Sequence, residues 1–148
     1  MGFSVRTAGD INGDGYSDVL ICGHSPKAFV YNGSPAGFPS SSCWTYNGLE
    51  GSFGWTVASA GDINGDGYSD VIIGSPDYNN GSFAVERFFI FNGSADGLSS
   101  TPSLIKSGTN SGSSIYRVGR CVAPAEDVNG DGYSDVLVSA PYPFGDVY

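Results

Sequence analysis

The sequence predicts an all-β protein made of short antiparallel strands, and three observations lead to this fold class. Runs rich in β-branched and aromatic residues alternate with Gly, Pro, Asn and Ser, which is the pattern of strands joined by turns. No 11-residue window has a convincing 3.6-residue period, so we expect very little helix. Similar segments recur after 52 residues (Asp10 to Asp62) and after 65 residues (Asp62 to Asp127). Four short strands in repeats of this length predict the blades of a β-propeller.

Each repeat is predicted to contain its strands in the same order. The first strand, SVRTAG or WTVASAG, enters an acidic loop, and the second, DVLICG or DVIIGS, leaves it. The third strand is AFVYN or RFFIFN, and the fourth is SCWTYN or SLIKSG. These correspondences divide the chain into a first blade at 1–52, a second at 53–117 and a partial third at 118–148.

The number of repeats is too small for a closed ring. Propellers typically have about four to eight blades, and this chain holds about two and a half. We therefore expect either a fragment of a larger propeller or a partial propeller that self-associates as a homo-oligomer. In both cases the outer blades would expose faces and strand edges to a partner.

The negative charge of the chain is concentrated in its acidic loops. The chain has 15 acidic and 6 basic residues, for a net charge of −9. Nine of the acids lie in the loops, so the other six balance the six bases. Such a distribution excludes the phosphate backbone of a nucleic acid as partner, because that binding needs clustered basic residues. No continuous apolar run approaches the roughly 18 residues of a spanning helix, so we expect no membrane insertion.

Each acidic loop has the nine-residue pattern D-I/V-N-G-D-G-Y-S-D, numbered here as positions 1 to 9. Positions 1, 3, 5 and 9 offer side-chain oxygens and position 7 a carbonyl, while the glycines permit a tight, partly left-handed backbone. Three carboxylates this close would repel one another without a cation, and Ca²⁺ prefers about six to eight oxygen ligands. The predicted ligands of three Ca²⁺ sites are Asp10, Asn12, Asp14, Tyr16 and Asp18; Asp62, Asn64, Asp66, Tyr68 and Asp70; and Asp127, Asn129, Asp131, Tyr133 and Asp135.

Other interpretations of the loop fit less well. An EF-hand needs Glu at position 12, where this chain has Ile21, Ile73 and Val138. Zinc and copper sites need Cys or His, which the loops lack, and Mg²⁺ is less suited to a flexible all-protein cage. The remaining alternative is that the acidic residues form Asx turns without any ion. We expect a structural Ca²⁺ whose removal lowers the melting temperature.

These features together resemble the FG-GAP repeat family, the repeats of integrin-α-type β-propellers. The family pairs an FG start, a calcium loop and a GAP-like turn, and Phe53-Gly54, Gly74-Ser75-Pro76 and Ser139-Ala140-Pro141 match that pattern. The first repeat departs from it, with Met1 for Phe and Cys22-Gly23-His24 for the turn. The resemblance covers essentially the whole chain and implies an adhesion or protein-interaction function at the cell surface or outside the cell. Similar blades in lectins imply carbohydrate binding as the alternative.

No enzymatic activity is expected. His24 is the single histidine, so a Ser-His-Asp triad would have to be built around a residue of a divergent turn. The sequence also lacks the G-x-S-x-G and H-E-x-x-H motifs.

Several aromatic residues are candidates for a sugar-binding platform. Tyr78 and Phe144 follow proline turns at equivalent places and are the better candidates for exposed contacts. Trp44 and Tyr46 are further candidates, whereas Trp55 follows the FG start and is expected to pack between blades.

The three cysteines are predicted to be buried free thiols. Cys22 and Cys43 fall on the second and fourth strands of one blade, roughly 10 Å apart, which is too far for a disulfide. Cys121 falls on the first strand of the third blade, farther still from Cys43. An intermolecular bridge stays open.

Three N-G-S sequons begin at Asn32, Asn80 and Asn92. Asn32 and Asn92 occupy the same turn of the repeat, where Asn-Gly is favoured for its positive φ. Turn chemistry and glycosylation are both open explanations.

Overall fold

The computed structural model describes residues 2–23, 25–48, 52–77, 86–108, 118–140 and 146–147. Within these ranges all strand pairings are antiparallel and no helix occurs, so the all-β prediction is confirmed. Because the described ranges contain no helix, they offer no candidate for a membrane-spanning helix. The strands are β1 Gly2–Gly9, β2 Asp18–Gly23, β3 Lys27–Tyr31, β4 Trp44–Asn47, β5 Thr56–Gly61, β6 Asp70–Ser75, β7 Arg87–Phe91, β8 Leu104–Ser107, β9 Val122–Glu126, β10 Asp135–Ala140 and β11 Asp146–Val147.

The strands form three sheets in which neighbours in sequence are neighbours in space. The first sheet has the order β1-β2-β3-β4, the second β5-β6-β7-β8, and the third β9-β10-β11. The acidic loops connect β1 to β2, β5 to β6 and β9 to β10, as the sequence predicted. The sheets are blades of a partial β-propeller, which confirms the predicted fold class.

Two apolar layers join the three sheets, and the second sheet contributes to both. Val71 and Ile73 of β6 pack with Leu20 of the first sheet, whereas Ile72 packs with Val138 of the third. Successive side chains of a strand point to opposite faces, so a sheet between two others needs apolar residues at every position. This requirement explains the continuous apolar run VII in the second repeat, where all of β6 is buried.

The outer sheets each have a face that no described sheet covers. Val5 of β1 is 50% exposed, whereas Val57, its counterpart in the second sheet, is 3% exposed. Leu137 of β10 is 46% exposed, whereas its counterpart Ile72 is fully buried. The outer faces of the first and third sheets therefore carry apolar residues at the same repeat positions that are buried in the middle sheet.

Aromatic side chains close the outer margin of the first layer. Trp44 and Tyr46 of β4 lie with their ring centroids 5.2 and 4.7 Å from that of Phe91, in edge-to-face geometry. The indole N–H of Trp44 donates to the carbonyl oxygen of Ser99 at 3.1 Å. Trp44 and Tyr46 are thus half-buried core residues, and their candidacy for an exposed sugar platform is wrong.

The other aromatic candidates have different outcomes. Trp55 is 43% exposed, so the prediction that it packs between blades is only partly met. The guanidinium of Arg120, which precedes β9, lies 5.6 Å from the centroid of the Trp55 ring. Tyr78 and Phe144 lie outside the described residues, as does His24.

The cysteines are free, as predicted, but two of them are not buried. Cys22 is buried on β2, whereas Cys43 and Cys121 are exposed. The burial prediction failed because Cys43 immediately precedes β4 and Cys121 immediately precedes β9, outside the strands to which they were assigned. Burial raises the pKa of the Cys22 thiol to about 12.

Candidate metal centre

Each acidic loop is folded around the carboxylate at position 1. In the first loop, Oδ1 of Asp10 accepts hydrogen bonds from the amides of Gly13 and Asp14 at 2.7 and 3.1 Å. Oδ2 of Asp10 accepts from the amide of Gly15 at 2.8 Å. The second and third loops repeat all three bonds at 2.7 to 3.1 Å. The glycines at positions 4 and 6 have positive φ in every loop, which lets the chain wrap around this carboxylate.

The side chains at positions 3 and 5 stabilise the next part of the turn. The amide of Asp14 donates to Oδ1 of Asn12 at 3.1 Å, and the amide of Tyr16 donates to Oδ1 of Asp14 at 2.9 Å. Both bonds recur in the other two loops. In the first loop Nδ2 of Asn12 also donates to Oδ2 of Asp14 at 3.0 Å, with an equivalent bond in the second. The Asn side chain at position 3 and the Asp side chain at position 5 therefore stabilise the same backbone conformation in all three loops.

The carboxylate at position 9 connects its loop to the turn after the third strand. Asp18 is fully buried, and its two oxygens accept from the amides of Ile11 at 3.0 Å and Gly33 at 2.8 Å. Asp70 is also fully buried and makes the equivalent two bonds at 3.0 and 2.8 Å. Burial raises the pKa of both carboxyl groups above the usual value, against the lowering effect of the two amides. The carboxylates at positions 5 and 1 of the same loop raise it further.

The third loop is more open to solvent than the other two. Asp135 is half-buried and accepts from the amide of Val128 at 3.0 Å. Asp127 is exposed, and the amide of Gly132 is the main cause that lowers its pKa.

The bond to position 9 accounts for two of the N-G-S turns. The glycine of each turn donates its amide to the buried aspartate, as Gly33 does to Asp18, and a Cβ at that glycine would collide with the loop backbone. Neither Gly33 nor Gly93 has positive φ, so the reason predicted for the Asn-Gly turns is wrong, and the close approach of each glycine to the loop backbone explains the glycine instead. Glycosylation of Asn32 and Asn92 stays open, and Asn80 lies outside the described residues.

The three loops are joined into one structure, here called the loop ladder (loops 10–18, 62–70 and 127–135). The amide of Ser69, at position 8 of the second loop, donates to the carbonyl oxygen of Asp10 at 2.9 Å, and Ser134 donates to Asp62 at the same distance. The ring of Tyr68 also lies against Gly13. These contacts were not predicted from the sequence. The available signal was that position 7 is Tyr and position 8 is Ser in all three loops, although ligation of a cation by side-chain oxygens requires neither residue.

The donor set fits a hard divalent cation by its chemistry. Each loop brings three carboxylates, one amide oxygen and a backbone carbonyl together within nine residues, all of them oxygen donors. Among the described residues, however, no three acidic, histidine or cysteine side chains converge as a metal cluster. The carboxylates accept hydrogen bonds from backbone amides, so the Asx-turn interpretation and the ligand interpretation use the same side chains. The three Ca²⁺ sites stay a prediction.

Comparisons with known proteins match most of the chain. Residues 10–73 match the model of an FG-GAP-like repeat, and residues 119–148 match that of the FG-GAP repeat. Integrin alpha-4 of Xenopus laevis is 31% identical over 143 residues, covering 90% of this chain and 14% of that protein. Integrin alpha-5 of Xenopus laevis is 32% identical over 156 residues, with coverage of 95% and 14%. Integrin alpha pat-2 of Caenorhabditis elegans is 40% identical over 91 residues, with coverage of 61% and 7%. The chain thus spans about one seventh or less of the length of these relatives.

Proposed function

The chain belongs to the FG-GAP repeat family, and on that premise we propose that it is a calcium-binding, non-catalytic β-propeller segment of an extracellular or cell-surface adhesion protein. Its blades would be residues 1–52, 53–117 and 118–148, and its action would be contact with another protein. The similarity to integrin alpha chains supports the adhesion and cell-surface parts of this proposal.

The observation that carries the calcium part is the threefold repetition of one loop structure. Three loops with the same acidic residues have the same hydrogen bonds from backbone amides to positions 1, 3 and 5. In each loop the carboxylates at positions 1, 5 and 9, the amide at position 3 and the carbonyl at position 7 would hold the ion. When bound, Ca²⁺ would supply the positive charge that offsets the three carboxylates. The loop ladder would then couple occupancy of each site to the packing of the blades.

Calorimetric titration with Ca²⁺ and thermal unfolding test this proposal. We expect three binding sites and a higher melting temperature in Ca²⁺ than in EDTA, since a ligand at about 100 times its Kd stabilises the folded chain by roughly 2.7 kcal/mol for each site. Asp66→Asn should remove one site. Asp96→Asn changes an exposed aspartate outside the loops and serves as the matched control. An identical melting curve in EDTA and Ca²⁺, together with no heat of binding, would contradict the proposal.

The protein partner is proposed to cover the outer faces that carry Val5 and Leu137. It would supply further blades, either from a longer propeller or from another copy of this chain. The solution mass of the 148-residue chain, measured by light scattering, distinguishes a monomer from a homo-oligomer. Carbohydrate binding is the alternative function, and Trp44 and Tyr46 do not support it because they pack against the core.

A further inference from the structure

The residue before the first acidic loop and the residue before the second each lie against position 8 of the following loop. Gly9 has φ 77°, and a Cβ there would lie 2.6 Å from Cβ of Ser69. Gly61 has φ 68°, and a Cβ there would lie 2.6 Å from Cβ of Ser134. Two Cβ atoms do not approach this closely, and no choice of side-chain rotamer separates them. Glycine is therefore required twice over at these positions, by its conformation and by the neighbouring serine.

The third repeat has Glu126 where the other two have glycine. Its φ is 56°, so it keeps the left-handed backbone, and it is the single non-glycine residue with positive φ in the described part of the chain. Left-handed backbone is unfavourable for a residue with a Cβ. Glu126 is exposed, and it is the counterpart of Gly9 and Gly61, each of which lies against the loop of the following blade. Its Cβ fills the space that a position-8 serine would need.

The rest of this side of the third loop has the same features as the sides of the first and second loops on which the following loop packs. Gly13 and Gly65 are covered by the rings of Tyr68 and Tyr133, whose Cε1 atoms lie 2.8 and 2.6 Å from where a Cβ would be. The equivalent Gly130 has nothing within 4 Å among the described residues. The third loop thus has open space at Gly130 for a tyrosine at position 7 of a further loop. The Cβ of Glu126 occupies the space that a serine at position 8 of that loop would need.

We propose that Glu126 determines which blade can dock on the third blade: it admits a repeat of this fold with glycine at loop position 8 and excludes one with serine there. The excluded blades include the first blade of another copy of this chain, where Ser17 holds position 8. A shift of the incoming backbone to relieve the collision would lengthen the 2.9 Å bond that joins adjacent loops elsewhere in the ladder. The inference rests on the propeller arrangement proposed above and does not depend on calcium.

Sedimentation velocity of the full 148-residue chain tests this inference, at high ionic strength to screen the acidic loops. Removing the Cβ on either side of the contact should relieve the same collision. We therefore expect Glu126→Gly and Ser17→Gly each to strengthen head-to-tail self-association about tenfold or more, the scale expected for relief of overpacking. Glu126→Ala is the matched control, because it removes the charge but keeps the Cβ, and it should leave association unchanged.

A further variant identifies the surface involved. Tyr16→Ala in the Glu126→Gly background should cancel the gain, since Tyr16 would cover Gly130 as Tyr68 covers Gly13. The proposal is overturned if both glycine variants associate no more than the parent chain, if Glu126→Ala gains as much as Glu126→Gly, or if Tyr16→Ala has no effect. Circular dichroism checks that each variant is folded. Failure of the calcium titration would leave these outcomes unaffected, so the two proposals can fail separately.

Discussion

The backbone amide of Ser69 donates a hydrogen bond of 2.9 Å to the carbonyl oxygen of Asp10, so the second acidic loop is bonded directly to the first. Ser134 and Asp62 make the equivalent bond between the third and second loops. The three candidate metal loops are therefore connected to one another as the loop ladder. A substitution at a junction between loops should consequently destabilise the chain more than a similar substitution at an open part of a loop.

Gly61→Ala and Gly67→Ala separate these two cases. Both glycines have positive φ, but a Cβ at Gly67 meets nothing within 4 Å among the described residues, whereas one at Gly61 collides with Ser134. We expect Gly67→Ala to lower the free energy of unfolding by about 1–2 kcal/mol from backbone strain alone. Gly61→Ala should cost about 1–3 kcal/mol more from overpacking. Urea denaturation measures both values.

A second substitution checks the cause of that difference. Ser134→Gly in the Gly61→Ala background removes the colliding Cβ and should restore part of the lost stability. Equal costs for the two single variants would show that the junction between loops does not constrain Gly61.

Asp70→Asn should destabilise the chain even when no metal is bound. Both oxygens of Asp70 accept buried amides, from Ile63 at 3.0 Å and Gly93 at 2.8 Å. An asparagine has one acceptor oxygen, so one amide would face an NH₂ group, at a cost of about 1–3 kcal/mol. Asp135→Asn is the control, because Asp135 is only half-buried and should lose less. Denaturation in EDTA is the measurement, and a cost for Asp70→Asn no greater than that for Asp135→Asn would count against this role.

Trp44→Ala should be far more damaging than Trp55→Ala. Trp44 packs on Phe91 across the first two blades and donates to the carbonyl of Ser99, whereas Trp55 is 43% exposed. We expect losses of about 2–4 kcal/mol for Trp44→Ala and about 1 kcal/mol or less for Trp55→Ala. Thermal and urea unfolding report both. Similar losses would mean that Trp44 does not hold the two blades together.

Two of the three cysteines should react with a thiol reagent in the native chain, and the third should not. Cys43 and Cys121 are exposed and should react with Ellman's reagent in the native chain. Cys22 is buried with a pKa of about 12, so only about one molecule in ten thousand carries its thiolate near pH 8. It should react only after denaturation. Native protein of Cys22→Ser that still shows two reactive thiols would confirm the assignment, and three rapidly reacting thiols in the parent chain would refute it.

The strands and their order could be predicted from the sequence because their signals are local. Alternating apolar residues and Gly-rich turns mark each strand without reference to its neighbours, and the repeat of DVLICG as DVIIGS and DVLVSA carries the assignment from one blade to the next. The carboxylates at loop positions 1 and 9 were selected as candidate ligands from the same local pattern. In the structure they accept hydrogen bonds from backbone amides, and the sequence does not show which backbone amides lie close to a given side chain.

The residues that were placed wrongly from the sequence failed for two reasons, a contact between distant segments and a strand boundary that lies one residue away from the predicted one. Trp44 was a candidate for an exposed platform, but Phe91 and Ser99, 47 and 55 residues later, enclose it. Cys43 and Cys121 were expected to be buried, but each precedes its strand by one residue and lies at the margin of a sheet.

By itself the sequence determined the all-β fold, the three repeats and the positions of the acidic loops, because each of these follows from composition and spacing within a few dozen residues. The tertiary structure alone decided how one loop meets the next. Whether Gly61 may carry a side chain depends on Ser134, 73 positions away in the chain and adjacent to it in space. The proposed effect of Glu126 on the next blade likewise rests on the positions of Ser69 and Ser134 in space, which the sequence alone does not give.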